Sequence, residues 1–150
     1  MPTDIHNYAW LLLPVSLLHI AEEHYWPGGF LNWLRASMPE LSGYITRRWS
    51  LHINCLFFIL CLSGTFYVHF AYITCFVMLL NALLHIAGTI QTKRYCPGVI
   101  TAIFLYLPFS IIVLYNTLPE LLFIIIYLGI AALLHSSTII SLLASKGKQY

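Results

Sequence analysis

Apolar residues in this chain run in long blocks broken by short polar or Pro/Gly-containing segments, and block length is the first signal to read. A helix that crosses a bilayer needs roughly 20 mostly apolar residues, with a range of about 17–25. The first block predicts a span over residues 8–26, kinked at Pro14 and stopped by Pro27-Gly28-Gly29. A polar and aromatic connector follows over 27–48, whose Phe30, Leu31, Trp33 and Leu34 predict a short interfacial helix ending before Pro39. From Leu51 to Ile90 the chain is almost wholly apolar. That is too long for one helix, so two spans are expected, 49–64 and 67–91, with a tight turn near Ser63-Gly64-Thr65. A fourth span is expected over 98–115, with Pro108 inside it. A fifth is expected over 119–143, opened by the turn Asn116-Thr117-Leu118-Pro119-Glu120 with proline at the first helical position. The pattern therefore predicts an all-α fold: one polytopic transmembrane helix bundle of about five helices.

Composition sharpens this. Only 8% of the 150 residues are charged, against about 25% in a typical soluble domain, so lipid is expected to cover most of the exterior. The length allows a single domain. No Lys or Arg precedes Arg35, so the first block lacks the basic flank of a secretory signal peptide and is expected to stay in the mature protein. The formal net charge of +2 is too small to suggest nucleic acid as a partner. The four cysteines form no CxxC pair and read as buried free thiols. With five alternating spans, all seven basic residues (Arg35, Arg47, Arg48, Lys93, Arg94, Lys146, Lys148) share one side, and Asp4 and Glu120 face the other. Cytoplasmic segments carry the excess of Lys and Arg. The N-terminus is then expected outside and the C-terminus in the cytoplasm. A four-span arrangement would scatter the basic residues over both faces.

The chemistry lies in histidines and carboxylates. His19, His52, His85 and His135 each follow a leucine on a different expected helix, and the rise of about 1.5 Å per residue places all four in roughly the cytoplasmic half of the bilayer. His19-Ile20-Ala21-Glu22-Glu23 adds two carboxylates three and four residues from a histidine, which share a helix face with it. Asn81 lies one turn before His85 as a polar neighbour, and Gly88 leaves space just after it. Ionisable residues inside a membrane helix cost about 2.5–3.5 kcal/mol at the centre, and they persist where they pair or bind a ligand. Neutral imidazoles and carboxylates together ligate zinc or iron. The candidate metal ligands are His19, Glu22, Glu23, His52, His85 and His135. The candidate catalytic groups are Glu22, Glu23, Asn81 and Tyr95. His6, His24 and His69 are expected in interfaces or loops, and the tryptophans as interfacial anchors. Leu17-Leu18-His19-Ile20-Ala21 recurs as Leu83-Leu84-His85-Ile86-Ala87, each copy followed by Tyr-x-Pro-Gly.

His19-Ile20-Ala21-Glu22-Glu23, the later His85 and Tyr95-Cys96-Pro97-Gly98 together resemble the HXXEE family of small bacterial membrane proteins, over roughly the first two-thirds of the chain. The resemblance implies a multi-pass protein of the bacterial inner membrane in which His19, Glu22, Glu23 and His85 matter; it implies no activity, since the family has none settled. The expected function is a metal-dependent membrane enzyme acting on a lipid or another apolar small-molecule substrate, by hydrolysis or by non-haem iron oxidation. In that reading three ligands and a water complete a site, the spare glutamate serves as base, and the full histidine set suffices for two metals. Metal-free acid–base isomerisation, small-ligand binding and a haem-binding electron carrier are the alternatives, the paired glutamates weighing against haem. A five-helix bundle with Gly64, Gly88 and Gly129 could also form a homodimer.

Overall fold

The computed structural model describes residues 4–26, 28–37, 39 and 46–136, and these are helical with no strand among them. A single turn, α1 (His6–Ala9), leads into α2 (Leu12–Tyr25). The break between them falls at Trp10 and Leu11, just ahead of Pro14, whose ring and missing N–H confine it to the first turn of the new helix. α3 (Gly29–Ser37) follows a turn in which Gly28 and Gly29 take φ of 89° and 63°. α4 (Arg47–Gly64) starts at Thr46, whose hydroxyl accepts the Trp49 amide at 3.1 Å. A three-residue turn then reverses the chain into α5 (Val68–Thr92). α6 (Val99–Thr117) contains a π-helical stretch, Ala102–Tyr106, and α7 spans Leu121–Leu134. The expected extension of the last span to residue 143, with Lys146 and Lys148 beyond it, lies outside the described residues.

The π-helical stretch has a local cause. Pro108 cannot donate to the carbonyl one turn earlier, and a widened turn absorbs the mismatch without breaking the helix. It also turns Tyr106 fully into the protein.

α5 is the axis of the bundle, with α4, α6 and α7 packed along it. Its buried positions include Ala71, Cys75, Met78, Ala82 and His85, which recur every three or four residues along one face. Phe76 and Val77 face another way, toward Tyr127 and Ala131 of α7. Small side chains on α5 let neighbours approach closely. Gly64 of α4 shows this: a Cβ there would lie 2.8 Å from Leu12 and 3.1 Å from the Ala71 backbone.

Among the described residues two helices, Val68–Thr92 and Val99–Thr117, are long and apolar enough to cross a membrane. The exterior is apolar along most of the bundle's length: Phe104, Ile125 and Leu133 are among many large hydrophobic side chains left exposed. Because consecutive long helices reverse direction, the ends of α2 and α5 meet the starts of α4 and α6. The polar cluster is built at that end.

Candidate metal centre

Three side chains converge there. His19 and Glu23 sit one turn apart on α2, and His85 comes from the facing side of α5; one ligand atom of each lies within 4.8 Å of the others. Glu23 Oε1 is 3.5 Å from His19 Nε2 and 3.1 Å from His85 Nε2. The imidazole rings meet edge to face with centroids 4.9 Å apart. All three residues are buried. Ligands bonded at about 2.0–2.1 Å to a tetrahedral zinc ion stand about 3.3 Å apart, so the two His–Glu separations already suit a common ion.

The far nitrogens of both rings are fixed. The Thr101 hydroxyl donates to Glu22 Oε2 at 2.5 Å, so it accepts from His19 Nδ1–H at 2.8 Å. With Nδ1 carrying the ring's one proton, His19 presents a bare lone pair on Nε2, which has no hydrogen-bond partner among the described residues and faces the Glu23 carboxylate. Two acceptors aimed at one another in a buried site call for a proton or a cation between them. His85 Nδ1 lies 3.3 Å from Cys96 Sγ. Burial, with the nearby Glu23 and Glu22 charges, pushes the Cys96 thiol well above its ordinary value. The protonated thiol accepts from Nδ1–H when His85 Nε2 is a ligand, and can donate when Nε2 carries the proton.

Glu22 has a different job from Glu23. It accepts the amides of Ile100 at 3.1 Å and Thr101 at 2.7 Å, the Thr101 hydroxyl, and the Tyr95 hydroxyl. These amides belong to the first turn of α6, which has no helical partners for them. A carboxylate from another helix caps them, where the helix dipole favours negative charge. Tyr95 reaches over this cap with its ring tilted against Trp26, and burial and the Glu22 hydrogen bond push its hydroxyl well above the usual tyrosine range. Tyr95 thus clamps Glu22, so its hydroxyl is committed to the cap.

The turn before α6 closes the site. Gly98 adopts φ of 100°, and a Cβ there would fall 2.7 Å from His85 Cε1 and 3.0 Å from His19 Cε1. Only glycine fits both the backbone angle and the space. Tyr106 stacks on the His19 ring at 4.1 Å, and Phe30 of α3 covers His85 at 5.1 Å. The space beside Gly88 is filled by Trp33, whose ring would lie 2.8 Å from an added Cβ; no room for a ligand remains there.

A cavity of about 110 Å³ opens beside the three residues, between α3, α4, α5 and the end of α7. Asn81 and His135 line it. His135 Nδ1 donates to Ala131 O at 2.9 Å, and its Nε2 makes no hydrogen bond among the described residues. His52 is elsewhere: it is exposed, and its Nδ1 bonds the Arg48 carbonyl of its own helix at 2.6 Å. Of the six expected ligands, three meet; Glu22 is spent on the cap, His135 is on the cavity wall, and His52 faces outward. Thr101, Cys96 and Tyr106 were not expected.

Residues 10–113 match the family described as "Protein of unknown function with HXXEE motif". The chain belongs to the HXXEE family. Neither a curated protein nor a solved structure matches it. In this HXXEE protein the motif histidine and the second glutamate share one face and enter the cluster, and the first glutamate turns about 100° away toward α6.

Proposed function

We propose that this HXXEE protein is a metal-dependent enzyme of the bacterial inner membrane, a multi-pass bundle acting on an apolar or lipid substrate through one zinc or iron ion held by His19, Glu23 and His85. The observation that carries the reading is the pair of buried imidazole Nε2 atoms aimed at one carboxylate, with both Nδ1 atoms tied back to Thr101 and Cys96. Outer partners that fix ring orientation accompany metal-bound histidines. Two histidines and a carboxylate form the ligand set both of hydrolytic zinc sites and of non-haem iron oxygenases, and each keeps a position open for water or substrate. An ion bound here would supply Lewis acidity or an activated water.

The chain's own residues would do the rest. Glu23 and the two imidazoles bring three donors, which suffices for one ion and not for two. Glu22, saturated by four hydrogen bonds, does not serve as a spare base. His135, on the cavity wall with its Nδ1 held by the Ala131 carbonyl, is the group positioned to carry a proton to or from the substrate through Nε2. The apolar exterior and the share of α4 and α7 in the cavity wall favour a substrate drawn from lipid. A haem carrier is disfavoured, because edge-to-face rings 4.9 Å apart leave no room for a macrocycle between them. A metal-free acid–base enzyme is the second reading, favoured by the 3.1 Å contact between Glu23 and His85, which could pass a proton.

Elemental mass spectrometry on untagged protein, purified in detergent without chelator, separates these. About one zinc or iron per chain is expected in the wild type, and less than about a tenth of that in Glu23→Gln and His85→Ala. A wild type without bound metal, from cells grown with both, would remove the metal reading and leave acid–base chemistry.

A further inference from the structure

Among the described residues six buried side-chain polar atoms have no hydrogen-bond partner, and four belong to residues lining one cavity: His19 Nε2, Trp33 Nε1, Asn81 Oδ1 and Tyr106 OH. Buried polar groups are ordinarily satisfied, so each exception asks for a missing partner. His19 Nε2 is accounted for by the proposed metal. The other three come from α3, α5 and α6 and are not needed by it. They complement one another: Trp33 Nε1–H can only donate, Asn81 Oδ1 can only accept, and the Tyr106 hydroxyl does either. Much of the remaining wall is apolar, with Ile53, Leu56, Phe57 and Leu60 on α4 and Leu134 on α7, while Ser50 and Asn54 of α4 and His135 add polar groups to it. At about 110 Å³ the space exceeds by several-fold the roughly 10–15 Å³ that one water needs.

We infer that the cavity binds a long-chain amphiphile with an uncharged head group that both donates and accepts hydrogen bonds, an alcohol or a primary amide, with the head among Trp33, Asn81 and Tyr106 and the chain along α4. This names the substrate class of the proposed metal enzyme and rests on that reading for the head group's place beside the reacting centre. An alkane leaves three buried polar atoms unpartnered. A quaternary ammonium has no N–H to offer Asn81 and no acceptor for Trp33. A hydroxyl or a primary amide meets both demands, and in the metal site it would present an oxygen to the open position.

The test uses the full chain in lipid nanodiscs with a long-chain alcohol carrying a diazirine in its tail. Irradiation should label residues of α4 on the cavity wall, mapped by peptide mass spectrometry. Unlabelled dodecanol and dodecanamide should suppress that labelling at concentrations about tenfold or more below those needed for dodecane or dodecyltrimethylammonium, since each satisfied polar group contributes a hydrogen bond. Tyr106→Phe, which removes one oxygen and keeps the ring stacked on His19, should narrow this preference, as should Asn81→Leu. Dodecane competing as well as dodecanol would overturn the assignment, and so would unchanged selectivity in both variants. Metal content measured on the same samples separates the two claims. Alcohol selectivity in metal-free protein supports the head-group assignment and removes the metal enzyme; one metal per chain without selectivity does the reverse.

Discussion

At the scale of single residues, the adjacent glutamates of the motif divide their labour because a helix turns about 100° per residue. Glu23, four residues after His19, stays on its face and meets His85; Glu22 swings to the start of α6 and takes up its free amides. Substitution should therefore split them. Glu23→Gln should lose the metal and keep the fold. Glu22→Gln should retain the metal while losing about 1–3 kcal/mol of stability, the worth of a charged acceptor facing buried donors. Metal content and thermal unfolding in detergent, measured side by side, check both. Metal lost from a fully stable Glu22→Gln protein would make Glu22 a ligand and refute this division. Thr101 joins the two roles, since its hydroxyl donates to Glu22 and accepts from His19. Thr101→Val, close in shape but without the hydroxyl, should weaken metal binding about 10–100-fold in a chelator competition, as the loss of outer partners does elsewhere.

At the scale of elements, the site depends on where α6 begins. Tyr95-Cys96-Pro97-Gly98 delivers a hydroxyl to Glu22, a thiol to His85 and a glycine backbone against both imidazoles. Gly98→Ala would place a methyl 2.7 Å from His85 Cε1 at a φ of 100°. It should cost about 1–3 kcal/mol and displace the rings, so that metal is lost with the stability. Gly129→Ala, with nothing within 4 Å of the added atom, should leave metal content and unfolding temperature unchanged. A stable, metal-replete Gly98→Ala protein would show that the turn does not seat the cluster. This contrast bears on what could be read in advance. The apolar blocks disclosed an all-helical chain, and the spacing of His19 and Glu23 disclosed a shared face, because both follow from helix geometry alone. Direction around a helix relative to its neighbours is not legible in that way: the expected depth groups His52 and His135 with His19 and His85, yet one faces outward and the other lines the cavity wall. Thr101 and Tyr106 gave no local signal either, since their roles arise only when α6, widened ahead of Pro108, packs against α2. Gly88 suggested open space, and an indole from the connector fills it.

At the scale of the whole molecule, the cluster and the positive charge share one end. Arg47 and Arg48 open α4, and Lys93 and Arg94 follow α5, around the same helix ends that carry Glu23 and His85. By the charge bias of membrane insertion, this end should face the cytoplasm. The proposed substrate would then reach the metal from the inner half of the bilayer. This orientation is testable without altering the chain, because in the five-span reading Lys93, Lys146 and Lys148 all lie on one side. A membrane-impermeant amine reagent should modify Lys93 and the two C-terminal lysines in inside-out vesicles and none of them in intact spheroplasts. Labelling of Lys93 from outside would invert the orientation and move the metal centre to the outer leaflet. Lys93 and Lys146 labelled from opposite sides would require an even number of crossings after Lys93 to become odd, which would remove the five-span arrangement. The opposite end of the bundle carries aromatic and aliphatic side chains around Tyr67 and Leu118 and no lysine, so no lysine-bearing peptide from that end should be labelled from either side.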